Sequence, residues 1–119
     1  PEFDSPGVSP YDILEKGGYA MFARMLRMQV KPERIEEAAR LFAGEVVPGC
    51  RAQSGYRGSY FLVDHKLGEC VPVTLWETEA DMLATEENRF FQQQLMKFLG
   101  LFHHGLFREA YEVTFADKV

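Results

Sequence analysis

The 119-residue sequence predicts an α+β domain whose elements run strand, helix, strand, strand, helix, strand. Three observations predict it. Strand-like stretches stand near both ends of the chain. A short polar loop with a glycine, His65 to Glu69, joins two more strand-like stretches in the middle. Between them apolar residues recur at helical spacing, at Ile35, Ala38, Ala39, Phe42 and Val46 and again at Phe91, Leu95, Phe98 and Phe102. A period of two marks strands and a period of 3.6 marks helices.

The first strand is expected from Tyr19 to Val30. Phe22, Leu26, Met28 and Val30 share one face with Arg24, and Met21, Ala23 and Met25 share the other with Arg27 and Gln29. A strand apolar on both faces is central or covered on both sides. Pro32 and Glu33 suit a helix start, since proline is tolerated in a first turn and an acidic group favours the positive end of the dipole. Pro48-Gly49 is expected to stop this helix.

The second strand runs from Tyr56 to Asp64, with Gly58 marking a bulge or a close approach. The third runs from Cys70 to Glu77, and Pro72 within it argues for an edge position or a bulge. Thr78-Glu79-Ala80-Asp81 reads as a capping box for a short helix to about Glu87, and Asn88 as the cap of the next. That last helix carries the Phe91–Phe102 stripe, widened by Phe90, Met96 and Leu99, and weakened at Gly100 and Gly105. Phe107 to Phe115 alternates as a final half-buried strand. The order is the ferredoxin-like β-α-β-β-α-β arrangement, with helices on one face of an antiparallel sheet. The other face is largely apolar and should not stay wet. A homodimer with its two sheets packed face to face is expected.

Domain organisation follows from the punctuation. Pro1-Glu2-Phe3 reads as a cloning scar, and residues 1–18, rich in proline and glycine, as a scar plus a loose arm. Residues 19–119 are expected to form the one domain. A net charge of −5 argues against a phosphate-backbone partner. No apolar run reaches the roughly 20 residues of a membrane span, and no signal peptide is visible. Cys50 and Cys70 make no disulfide framework and fit no metal motif, so they are expected reduced, in a cytoplasmic protein.

Several pieces lie in one order: the first strand into Lys31-Pro32-Glu33, then Val46-Val47-Pro48-Gly49, Gln53-Ser54-Gly55-Tyr56-Arg57-Gly58 and Val73-Thr74-Leu75-Trp76-Glu77-Thr78. Together they resemble the antibiotic biosynthesis monooxygenase family of dimeric α/β barrels, over about Tyr19 to Phe115. The resemblance implies a dimer and a site between helices and sheet. Two chemistries are known in the family, and many members have no known reaction. The haem-degrading branch carries an asparagine where this chain has Met25, a second tryptophan where it has Thr85, and an iron-ligating histidine near Leu95. With all three replaced, haem degradation is not expected. The other branch oxidises polycyclic aromatics with molecular oxygen and without metal or flavin, so no cofactor is expected. It needs a dry aromatic pocket and polar groups to hold a substrate oxyanion.

Trp76, Tyr60, Phe91 and Leu95 are the candidate pocket walls, and Arg24 or Arg57 the candidate oxyanion partners. Each has an ordinary structural role as well: Trp76 and Tyr60 as core or interface filler, Arg24 as an edge ion pair, Arg57 as a turn residue. His103 and His104 read either as a cationic pair at a helix C-terminus or as one general base at the pocket mouth. With Arg24 they are the candidate catalytic residues. The first functional expectation is a cofactor-independent monooxygenase acting on a small aromatic, polycyclic or quinol-type molecule. The second is a non-catalytic small-molecule binding or assembly module of the same fold. A base in the cavity beside an oxyanion donor would favour the first, and a purely apolar cavity the second.

Overall fold

The structure is a computed structural model that describes residues 21–117, apart from the side chains of 103–105. The expected scar and arm fall outside the described residues. Strand β1 spans Met21–Val30, β2 Tyr56–Asp64, β3 Glu69–Trp76 and β4 Phe102–Val113. The first helical stretch comprises a 3₁₀ turn at Pro32–Arg34, α1 at Ile35–Leu41, a π-turn at Phe42–Val46 and α2 at Val47–Arg51. Helices α3 (Glu79–Glu87) and α4 (Phe90–Lys97) follow β3. The four strands pair antiparallel in the order β2-β3-β1-β4, which is the ferredoxin-like topology.

The parity of β1 decides what lies where. Arg24, Leu26, Met28 and Val30 are buried beneath the helices, while Arg27 is exposed on the opposite face. The core joins Met28 and Val30 to Ile35, Ala38, Phe42 and Val46 of the first helical stretch, and to Trp76, Met82, Phe98 and Leu101. On the uncovered face Tyr60, Leu62, Phe107 and Tyr111 are 61%, 48%, 66% and 49% exposed. That is a broad apolar surface for a small domain.

Pro72 lies neither on an edge strand nor at a bulge, since β3 is interior. The β1–β3 ladder keeps one register from Phe22↔Trp76 to Gln29↔Glu69, but pairing lapses opposite Pro72 and Val71. The missing N–H falls in that lapse, and the ring is buried against the helices.

Pro48-Gly49 does not end the first helical stretch, which runs on to Arg51. The π-turn is the reason. The Val47 N–H reaches back five residues to the Phe42 carbonyl, so the backbone is already widened where the Pro48 ring would otherwise meet the carbonyl four residues earlier. The extra residue has a second effect. Eight residues at about 100° each would carry Cys50 roughly 80° off the face of Phe42; absorbing one in the wide turn leaves an offset of about 20°. Phe42, Val46 and Cys50 are all buried on the sheet side.

Thr78 caps α3 as expected, its side-chain oxygen accepting from the Asp81 N–H at 3.0 Å. Asn88 Oδ1 accepts the Phe90 N–H at 2.9 Å at the start of α4. Arg89 between them holds a left-handed φ of 71°. The last helix is shorter than its apolar stripe implies. It closes at Lys97, Met96 and Leu99 are exposed rather than buried, and β4 already begins at Phe102. His103 and His104 therefore sit in strand backbone, with His104 paired to Gln29.

Candidate functional site

Because Arg24 stands on the helix-facing side of β1, its guanidinium is carried into the layer between sheet and helices, where the residue is only 4% exposed. Helix α3 supplies its partners from one face. Arg24 Nη1 donates to Thr85 Oγ1 at 3.2 Å, and Nη2 donates to the Met82 carbonyl at 3.4 Å and to Glu86 Oε2. Thr85 in turn donates to the Met82 carbonyl at 2.6 Å. Glu86 also meets Arg108 of β4, with 3.5 Å between Oε1 and Nη1. One carboxylate thus serves two guanidinium groups. Both lie over the Phe91 ring, with Cζ at 4.2 Å from its centroid for Arg24 and 5.5 Å for Arg108. Burial lowers the proton affinity of Arg24, and the Glu86 carboxylate opposes that shift.

Beside this cluster lies a cavity of about 50 Å³. Trp76, Phe42, Val46, Pro72, Phe90, Phe91, Leu95 and Phe98 give it apolar walls, and Arg24, Leu26, Thr74, Cys50 and Gln94 complete the lining. Trp76 is fixed twice. Its indole N–H donates to Thr74 Oγ1 at 2.9 Å, and Tyr56 packs edge-on against it at 5.6 Å between centroids. Burial pushes the Cys50 thiol up to about 11, against the pull of Arg24, so at neutral pH it is a neutral group. The Gln94 side-chain Oε1 is buried without a hydrogen-bond partner among the described residues.

The volume is informative. A cavity of about 150 Å³ admits benzene, and each water needs some 10–15 Å³. At about 50 Å³ the space suits a few waters or a diatomic gas and is smaller than an aromatic ring needs. Its helix side is shared by Phe42, Val46 and Cys50 of the first helical stretch and by α4, an eight-residue helix with no fully buried residue.

Of the residues singled out in the sequence, Arg24, Trp76, Phe91 and Leu95 converge on this cavity. Tyr60 and Arg57 do not. Tyr60 is on the opposite face of the sheet, and Arg57 is exposed and pairs with Glu77 at 3.5 Å. Both border an open groove along the β2 edge with Phe42, Val47 and Arg51. A β-bulge is responsible. Tyr56 pairs with Trp76 but Gly58 already pairs with Leu75, so one residue is inserted and the parity of β2 flips. Gly58 adopts φ 146° there. The side chains of His103 and His104 lie outside the described residues. Cys50, Thr85, Glu86 and Gln94 were not anticipated. The spacing Met82, Thr85, Glu86 could have marked one helix face aimed at a partner. Gln94, in a run of three glutamines, carries no such signal.

Among the described residues, no group of three or more His, Cys, Asp or Glu is placed to hold a metal ion. No helix among the described residues is long and apolar enough to cross a membrane.

The class these features define is a ferredoxin-like domain with an arginine-tipped aromatic cavity between sheet and helices. Residues 21–93 match the family model for antibiotic biosynthesis monooxygenase, and the chain belongs to that family. An uncharacterised protein of Mycobacterium tuberculosis, in strains H37Rv and CDC 1551, is 31% identical over 72 residues, 60% of this chain. The match spans about a third of that relative, 32% of its length. Among solved structures, the ActVA-Orf6 monooxygenase of Streptomyces coelicolor, in complex with nanaomycin D, superposes with a TM-score of 0.66 at 13% identity, covering 84% of this chain and 93% of that one. SnoaB, a cofactor-independent oxygenase from Streptomyces nogalater, gives 0.61 at 14% identity, over 77% and 91% of the two chains. These likenesses concern the fold.

Proposed function

We propose that this protein is a cofactor-independent monooxygenase that oxidises a small aromatic substrate with molecular oxygen, working as a homodimer closed over its apolar sheet face. The observation that carries the reading is the buried Arg24 guanidinium at the end of an aromatic-walled cavity. Its donors are aimed by Thr85, Met82 and Glu86. Membership of the antibiotic biosynthesis monooxygenase family supports the same reading, as does the fold shared with SnoaB.

The chemistry asks little of the protein beyond electrostatics. An anthrone-type substrate has an acidic CH₂ beside a carbonyl. Arg24 holds the carbonyl oxygen and stabilises the enolate left when one C–H proton departs to water, acting as an oxyanion partner in a low-dielectric site. The enolate gives one electron to O₂, the radical pair joins as a C–O–O⁻ peroxide, and loss of the second C–H proton with O–O cleavage leaves a new carbonyl and water. One O₂ is consumed: one oxygen atom enters the product and the other leaves as water. Trp76 and Phe91, both on the cavity wall, keep bulk solvent from the enolate and so slow its reprotonation.

Among the described residues, no carboxylate, histidine or tyrosine lines the cavity. This favours a second reading, a binding module with no turnover. An oxygen electrode separates the two. Anthrone with the wild-type protein is expected to give O₂ uptake matched one to one by anthraquinone, and Arg24→Met to slow it about a hundredfold or more, the scale of a lost oxyanion donor. Uptake no faster than in buffer, with anthrone still quenching Trp76, would decide for the binding module.

A further inference from the structure

Two guanidinium groups share one carboxylate at the flank of the cavity. Glu86 presents Oε2 to Arg24 and Oε1 to Arg108, the latter at 3.5 Å, and its carboxylate meets no other described group. The cluster therefore carries one positive charge in excess, in a chain whose net charge is −5. Its members are graded in burial: Arg24 is buried, Glu86 half-buried and Arg108 exposed. Arg108 makes no hydrogen bond to a described residue, and only the long contact with Glu86 and the Phe91 ring hold it among them. Exposed ion pairs of this kind hold weakly. Arg108 thus keeps a planar fork of donors that matches a carboxylate. Phe91 links the two arginines to the cavity, because both guanidiniums lie over its ring, and Phe91 and Arg24 both line the space.

We propose that Glu86 is an internal stand-in for the carboxylate of a ligand: the anion of a small organic acid displaces it from Arg24 and Arg108, and the acid's carbon chain runs past Phe91 into the cavity. The exchange replaces one carboxylate with another, so the contacts to both guanidiniums are kept. Glu86, already half-buried near the end of α3, swings out to water. The gain comes from the chain, at about fourfold in Kd for each methylene moved out of water. At about 50 Å³, the cavity takes a chain of about two or three carbons as it stands. The inference goes beyond the oxygenase reading and does not rest on it, since it needs binding and no turnover.

Ligand-observed NMR titrations at fixed ionic strength measure the Kd of acetate, propionate and propionamide, the last having the shape of propionate without its charge. Propionate is expected to saturate with a Kd of about 1 mM, the scale for a ligand of so few atoms. It is expected to bind about fourfold tighter than acetate and about tenfold or more tighter than propionamide. Arg108→Gln is expected to weaken propionate about tenfold, the loss of one charge-assisted contact. Glu86→Gln removes the competing charge but still accepts from Arg24, and is expected to tighten propionate about tenfold. A network with a structural role alone does not give opposite signs. Should Glu86→Gln unfold, Arg108→Gln decides by itself, since it leaves the Arg24–Glu86 pair in place. Propionate that fails to saturate, propionamide or acetate that binds as tightly as propionate, or an Arg108→Gln variant that binds like wild type overturns the proposal. So does a folded Glu86→Gln variant that binds no tighter. None of these results touches the oxygenase reading, which anthrone and the oxygen electrode test separately.

Discussion

Arg24 on β1 and Glu86 on α3 form an ion pair that is unevenly shared, its guanidinium buried and its carboxylate part-exposed. Arg24 has Thr85, Met82 and Glu86 as its partners, whereas Glu86 is part-exposed and has Arg108 as a second cation. Removing one partner of a buried pair is costly when the other is left charged and unpaired. Glu86→Ala is therefore expected to cost about 3 kcal/mol. Arg24→Met leaves Glu86 with Arg108 and should cost only about 1 kcal/mol, the scale of the lost cation–π contact. Urea midpoints of the two variants are the check, and equal losses or the reverse order would refute the asymmetry.

Cys50 sets a pH dependence. Its folded thiol is held at about 11 by burial, above the value near 8.5 of an unfolded chain. Within that window the unfolded chain has released its proton and the folded one has not. Stability is therefore fully present below the unfolded value and falls as pH rises toward about 11. Cys70, also raised by burial, adds to the slope in the same direction. The slope of unfolding free energy between pH 8.5 and 10.5 is expected to be shallower in Cys50→Ala than in wild type. An identical slope would show that Cys50 ionises freely.

Two glycines of the first helical stretch should respond with opposite signs. A Cβ on Gly49 would come within 2.8 Å of the Phe90 ring, whereas Gly44 has nothing within 4 Å. Gly44→Ala is expected to stabilise by about 0.5–1 kcal/mol through helix propensity. In Gly49→Ala the same gain is outweighed by overpacking against Phe90, for a net loss of about 1 kcal/mol. Thermal unfolding of both variants provides the measurement, and matching signs would count against the close approach.

The open sheet face should be covered in solution. Light scattering is expected to give twice the chain mass of 13.6 kDa. Phe107→Glu, at a position 66% exposed in the single chain, is expected to give a folded protein of one chain mass, with an unchanged far-ultraviolet circular dichroism spectrum. A wild-type monomer at micromolar concentration would count against the homodimer.

What could be read in the sequence was what local chemistry dictates. The Thr78 and Asn88 caps, the parity of β1 and the hairpin at His65 are all contained within a few residues, and all are found. Trp76, Phe91, Leu95 and Arg24 were named because the family resemblance implies a pocket between helices and sheet, while periodicity alone left open which face of β1 the helices cover. Tyr60 was misplaced because one inserted residue at Gly58 reverses every later side chain of β2. The glycine signalled a bulge but not its consequence. The partners of Arg24 could not be read, because Thr85 and Glu86 reach it only once α3 folds back across the sheet. Gln94 was missed because an unsatisfied oxygen is a property of the packed state.

The π-turn and Pro48 together amount to a lock. A helix carrying one surplus residue can normally slide back to the regular pitch by passing the bulge along its length. Pro48 blocks that passage, because it has no hydrogen to offer the preceding turn. The bulge cannot migrate past it toward the C-terminus, and the phase that brings Cys50 under the same roof as Phe42 is fixed by covalent structure. Deleting Gly44 would give a shorter helix of ordinary pitch only by forcing a proline into its interior. The chain's simplest editing event at this site would thus break the element instead of straightening it.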